Sequence, residues 1–113
     1  MHEAGLAVRF VEAALEEAAA RGASRVTAVG ARIGELHGVV DRHLEGFFAV
    51  MARLTPAEGA RLVIERVAAR SACPGCSESF PGQPYGRTCP ACGRGRLETA
   101  AGLEMELVWI EIE

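Results

Sequence analysis

Two Cys-x-x-Cys pairs constrain this chain more than any other feature. Cys73-Pro-Gly-Cys76 and Cys89-Pro-Ala-Cys92 are separated by 12 residues. Two residues between cysteines let a tight turn aim both thiolates at one ion, and a hairpin joining two such turns completes a tetrahedron of four sulfurs. The surrounding segment, residues 71–100, holds four of the chain's five prolines, is rich in glycine, and offers few side chains that form a core. Such a segment needs a staple to hold a shape. Zinc is the expected occupant because it is redox-inert and favours four thiolates, although the same geometry holds iron. Four thiolates leave no open coordination position, so the expected role is structural rather than catalytic. A pair of disulfides is the competing reading, and it fits a secreted chain better than this one.

Secretion is not expected, because Glu3, Arg9, Glu12, Glu16 and Glu17 interrupt any apolar signal region in the first 20 residues. No apolar run is long enough to cross a bilayer, which points to a cytoplasmic protein with no membrane partner. The formal charge of −3 argues against nucleic acid as partner. The cysteine segment repeats that message. Arg87, Arg94 and Arg96 barely exceed Glu78 and Glu98, and four thiolates around one Zn²⁺ add two negative charges.

The rest of the 113 residues reads as a small α+β domain. Leu6, Phe10, Ala14 and Ala18 beside Ala7, Val11 and Leu15 make an apolar helical stripe over residues 3–21, with Gly22 as its C′ residue. Val26, Val29 and Ile33 predict a strand over 25–34, buried on both faces. Asp41 is the expected N-cap of a second helix carrying Leu44, Phe47, Phe48 and Met51, which ends near Leu54 ahead of Pro56. Residues 61–70 and 103–112 are the other two strands. In the last, the alternation slips at Val108, Trp109 and Ile110, predicting a bulge or a middle buried on both sides. The expected fold is therefore α+β: two helices packed on a three-stranded sheet, with a small four-cysteine, zinc-ribbon-like module inserted before the last strand. Residues 1–70 plus 101–113 form one domain and residues 71–100 the zinc-binding module, with Phe80 and Tyr85 supplying its packing.

The N-terminal Met-His-Glu, a strand ending in "RIGELHGV", a second helix and two Cys-Pro-x-Cys pairs before an acidic terminal strand together resemble the HypA family. These are small nickel-insertion proteins of hydrogenase maturation, and the resemblance covers nearly the whole chain in order. It implies a metallochaperone that holds a labile Ni(II) at Met1, His2 and Glu3, and a structural Zn(II) at Cys73, Cys76, Cys89 and Cys92. It further implies delivery of nickel to the hydrogenase large subunit with a HypB-type GTPase, and in some relatives service to urease accessory proteins. The tripeptide chemistry agrees. The Met1 amine, the His2 amide nitrogen and the His2 imidazole close fused chelate rings, Glu3 adds an amide nitrogen or a carboxylate, and nitrogen donors suit Ni(II). Ser77 departs from the pattern, standing where a glycine follows the first cysteine pair.

Other polar residues have plainer readings. His37 and His43 are expected at the solvated surface, and Glu104, Glu106, Glu111 and Glu113 at the solvent side of an edge strand whose exposure permits a homodimer. No nucleophile–base pair, phosphate loop or open metal site with a general base is visible, so catalysis is not expected. Two other functions compete with the chaperone. A zinc-ribbon nucleic-acid-binding or assembly adaptor would use Arg87, Arg94 and Arg96 as its face, and a rubredoxin-like electron carrier would hold iron at the four cysteines.

Overall fold

A computed structural model describes residues 2–113; Met1 lies outside the described residues. The elements run α1 (Glu3–Ala20), β1 (Val26–Gly34), a single 3-10 turn (Glu35–His37), α2 (Asp41–Met51), β2 (Arg61–Val67), β3 (Arg70–Ala72), β4 (Ser79–Pro81), β5 (Glu98–Ala101) and β6 (Met105–Ile112). They form one sheet ordered β2-β1-β6 and a second, smaller one ordered β4-β3-β5. The α+β expectation of two helices on a three-stranded sheet with a cysteine module before the last strand is met. No helix among the described residues is long and apolar enough to cross a membrane.

The chain divides into two compact units. The first comprises residues 1–32, 38–65 and 105–113. Its α1 buries Leu6, Ala7, Phe10, Val11, Ala14 and Ala18, the row that the 3.6-residue period predicts. Gly22, at φ 67, ends the helix. The amides of Gly22 and Ala23 bond to Ala19 and Ala18 respectively, which satisfies carbonyls the helix leaves open. α1 packs against α2 and β6, and α2 contributes Leu44 and Phe48 to the core. β1 is central and almost wholly buried, as its apolar composition requires.

Contacts along β1 fix the sheet. Arg25 exchanges both backbone hydrogen bonds with Glu113, Thr27 bonds to Glu111, and Arg32 pairs with Glu106, so β6 runs antiparallel to β1. The Val26 amide donates to the Pro56 carbonyl ahead of β2, and Arg32 meets Glu65 within it, so β1 and β2 run in the same direction with α2 in the crossover. Arg32, Glu65, Glu106, Arg61 and Glu111 contribute ion pairs along the sheet, Arg32 bridging Glu65 and Glu106 while Arg61 meets Glu111. Thr27 and Arg32, like Glu106 and Glu111, are five residues apart, an odd spacing that a regular strand would split between opposite faces. Both paired strands therefore reverse their alternation in between. Trp109 lies over Gly30 there, where a Cβ would penetrate the indole ring. The phase slip in β6 is real, but its middle is not buried on both sides, since Val108 and Trp109 are exposed.

The second unit comprises residues 33–37 and 66–104. Its sheet pairs Ser71 with Phe80 on one side and with Thr99 on the other, both antiparallel. The core is minimal: Cys73, Cys89 and Leu97, with Phe80 and Cys92 packed against them. "RIGEL" is the stitch of this unit. Leu36 donates to the Gly102 carbonyl at 2.9 Å, Glu35 accepts from the Ala69 amide at 3.2 Å, and His37 Nε2 lies 2.9 Å from the Leu103 carbonyl. Gly34 is required because a Cβ there would collide with the Gly102 backbone.

Several sequence expectations need correction. The N-cap of α2 is Val40 rather than Asp41: its backbone is extended and its carbonyl accepts the Leu44 amide, while its own amide donates to the Glu3 carboxylate of α1. α2 stops at Met51, with Leu54 at φ 63 beyond it. The strand expected over 61–70 breaks at Ala68–Ala69, and its last part joins the small sheet. Tyr85 is 77% exposed and lies outside the core of the cysteine module, against which Phe80 is packed.

Candidate metal centre

The cysteine site is built from two similar turns. After the first pair, Ser77 donates to the Cys73 carbonyl at 2.8 Å; after the second, Gly93 donates to the Cys89 carbonyl at 2.9 Å. Both residues are left-handed, Ser77 at φ 66 and Gly93 at φ 72. The serine thus adopts the backbone conformation that a glycine would take without a steric cost. Bonds from the Cys73 amide to Glu78 and from the Cys89 amide to Gly95 close the turns. Gly95 passes so near Cys73 that a Cβ would stand 2.5 Å from its sulfur. Sequence reasoning missed that requirement, although the Gly-x-Gly after Cys92 is its visible trace.

The four Sγ atoms lie within 4.8 Å of one another. Cys73 and Cys92, and Cys76 and Cys89, are 3.7 Å apart. Disulfide sulfurs stand at about 2.05 Å, whereas a tetrahedron with metal–sulfur bonds of about 2.3 Å has edges of about 3.8 Å. The donor set and its spacing fit a four-coordinate thiophilic ion. Cys73 and Cys89 are buried, while Cys76 and Cys92 reach toward solvent.

Backbone amides prepare part of the site for negative charge. The amides of Arg94 and Gly95, with help from Cys73 and Cys89, outweigh desolvation and bring the Cys92 thiol down to about 6. The Cys92 and Ala91 amides lower Cys89, and the Ala91 nitrogen is 3.3 Å from its sulfur. At Cys76 the Glu78 amide acts in the same lowering sense, but desolvation and the three neighbouring thiols prevail and push it up to about 12. The second turn therefore favours thiolates before a cation arrives.

The tripeptide is placed only in part, because Met1 lies outside the described residues. His2 is exposed and extended as the residue preceding α1, and its carbonyl accepts the Leu6 amide. Its backbone lies where a helix leaves N–H groups without internal carbonyls. Glu3 opens α1 and holds the Val40 amide at 3.1 Å. That bond, the residue's own amide, and the fields of His43 and His2 hold its carboxyl below the usual range against a desolvation penalty. His43 is exposed as expected, whereas His37 is half-buried and bonded to Leu103.

A small α+β protein with an appended four-cysteine metal hairpin is the class that this fold and site define. The whole chain carries the sequence pattern of one such class. It matches the family described as "Hydrogenase/urease nickel incorporation, metallochaperone, hypA" over residues 1–112, and it belongs to the HypA family. It is 41% identical to the hydrogenase maturation factor HypA of Geobacter metallireducens over 113 residues, and 37% identical to that of Chlorobaculum parvum, each pair covered completely. Its fold is similar to the solution structure of the Ni metallochaperone HypA from Helicobacter pylori, with a TM-score of 0.69, 23% identity and coverage of 99% of this chain and 97% of that one. A second solution structure, of a HypA protein, gives a TM-score of 0.76 at 23% identity, covering 100% of this chain and 97% of the other.

Proposed function

We propose that this chain binds Ni(II) at its N-terminus through Met1, His2 and Glu3 and delivers it for maturation of a [NiFe]-hydrogenase. In this reading Cys73, Cys76, Cys89 and Cys92 hold a structural Zn(II), and residues 1–70 with 101–113 carry the nickel while residues 71–100 carry the zinc. The family match over residues 1–112 carries the reading, because it spans the tripeptide and all four cysteines. Two physical features support it. The four-sulfur cage saturates its ion and suits a resident metal, while His2 is exposed at a helix start with an imidazole suited to Ni(II). Recipients in keeping with the family are a HypB-type GTPase, the hydrogenase large subunit and, where urease is the client, its accessory proteins. The protein acts as a carrier in the cytoplasm, with no catalytic turnover of its own.

Calorimetric titration of the zinc-loaded protein with Ni²⁺, beside His2→Ala and without an N-terminal tag, tests the proposal. The expected outcome is about one nickel per chain in the native protein and none in the variant, with zinc retained in both. Identical titrations would remove the tripeptide from the site. Red, reversibly reducible protein would replace zinc by iron at the cysteines.

A further inference from the structure

α2 has a solvent face that nothing in its own unit explains. Phe47, Val50 and Met51 are exposed there, and Leu54 beyond the helix end is 95% exposed. Arg42, His43, Gly46, Phe47 and Val50 line a shallow hollow of about 440 Å³. Gly46 lies at mid-helix, where glycine weakens a helix relative to alanine. Internal packing does not demand it, because a Cβ at Gly46 would meet nothing within 4 Å. The glycine's effect is to keep the hollow open.

Charge indicates what fills it. With 3.6 residues per turn, Arg42, Gly46 and Val50 fall in one row, and Arg42 lines the hollow. Beyond the helix end the Arg53 amide bonds to the Val50 carbonyl at 3.2 Å, a turn of three residues that carries Arg53 on past Val50. Neither arginine makes an ion pair among the described residues. The helix's own Asp41 and Glu45 lie on the other side of Arg42 from Phe47 by the same spacing. A second copy of this chain fits badly, since a two-fold interface repeats the same patch on both partners and would bring arginine against arginine.

We propose that the outer face of α2 docks an amphipathic helix of a partner protein, whose apolar ridge enters the hollow over Gly46 and whose flanking carboxylates meet Arg42 and Arg53. A ridge entering a groove is the ordinary geometry of helix packing, and a residue without a side chain at the groove floor permits the closest approach. The proposal does not depend on nickel binding and is tested without nickel.

The probe is a stapled helical peptide with a leucine ridge flanked by glutamates, beside the same peptide with lysines in their place. Each is titrated into the full-length, zinc-loaded, isotope-labelled chain and followed by amide chemical shifts. Shifts confined to residues 40–54 and an affinity at least about tenfold higher for the glutamate peptide are expected. Val50→Glu abolishes binding. Gly46→Leu loses at least about tenfold in affinity while raising the thermal midpoint, which separates a filled hollow from a misfolded helix. Arg42→Glu with Arg53→Glu reverses the preference toward the lysine peptide. Equal affinity for the two peptides, absence of binding, or shifts outside α2 overturns the proposal. A dimer in sedimentation velocity that Val50→Glu dissolves also overturns it and assigns the face to a second copy.

Discussion

Adjacent phenylalanines on α2 give a controlled test of how the helix is seated. Phe48 is 1% exposed and Phe47 is 41% exposed. Replacing Phe48 by alanine forfeits a fully buried ring, worth about 1.5–3 kcal/mol in transfer alone. The void between α2 and the core adds a cavity term, for a total of roughly 3–5 kcal/mol. Phe47 has somewhat more than half of that burial, and water fills the space it leaves, so Phe47→Ala should cost only about 1 kcal/mol. Against a domain stability of about 5–15 kcal/mol, the first change is severe and the second is mild. Denaturant unfolding followed by fluorescence measures both. Trp109, the chain's one tryptophan, lies on β6 in the same unit as α2 and reports on it directly. The Phe48 variant should lose more than about 12 °C in thermal midpoint, from roughly 4–8 °C per kcal/mol. Equal costs for the two variants would refute the orientation of α2, and the apolar outer face proposed above would fall with it.

Other expectations follow from single contacts. Glu3→Ala should expose the Val40 amide to fast hydrogen exchange while Glu3→Gln, which keeps an acceptor oxygen, preserves its protection; the native Val40 shift should titrate below an ordinary glutamate's ~4.3. Because that carboxyl is depressed in the folded state, its contribution is present above the unfolded value and disappears as pH falls through the folded one. Gly30→Ala should displace the Trp109 ring, shift its emission and cost about 1–3 kcal/mol by overpacking.

Local chemistry makes much of this structure legible. The period of α1, the left-handed Gly22 after it, the doubly buried β1 and the four converging cysteines all follow from short stretches of sequence whose physics is self-contained. Contacts distant in sequence are not legible. Asp41 has the composition of a cap, but Val40 takes that position, and its amide bonds to Glu3, 37 residues earlier. Nothing in "RLVIERVAAR" marks the break at Ala68–Ala69, because it arises where Glu35 captures the Ala69 amide. "RIGEL" stands out only as a family pattern, yet its glycine and glutamate have specific partners in Gly102 and Ala69. The slip in β6 is visible, while its match in β1 at Gly30 is not, since a glycine does not reveal which aromatic ring crosses it.

The two units should respond oppositely to loss of the cysteine-bound ion. The first unit rests on an aliphatic and aromatic core of Leu6, Phe10, Val26, Val29, Leu44 and Phe48. The second has Leu97 and the half-buried Phe80 beside the cysteines, and very little else. In such a module the metal supplies what apolar burial does not, with apparent binding energies of about 10–16 kcal/mol for structural zinc. A strong chelator at neutral pH should therefore abolish hydrogen-exchange protection in β3, β4 and β5 while α1 and the buried part of β1 keep theirs. Ser71 is a sensitive reporter, being fully buried and paired on both sides. Protection that survives chelation throughout residues 70–101 would mean that the hairpin folds by its own packing, and the four cysteines would then need another explanation. Simultaneous loss from both units would show that the first core is not self-sufficient. Selective loss makes the cage a permanent part of the fold, and a carrier must then hold its cargo elsewhere, at a site whose filling and emptying leaves both cores intact.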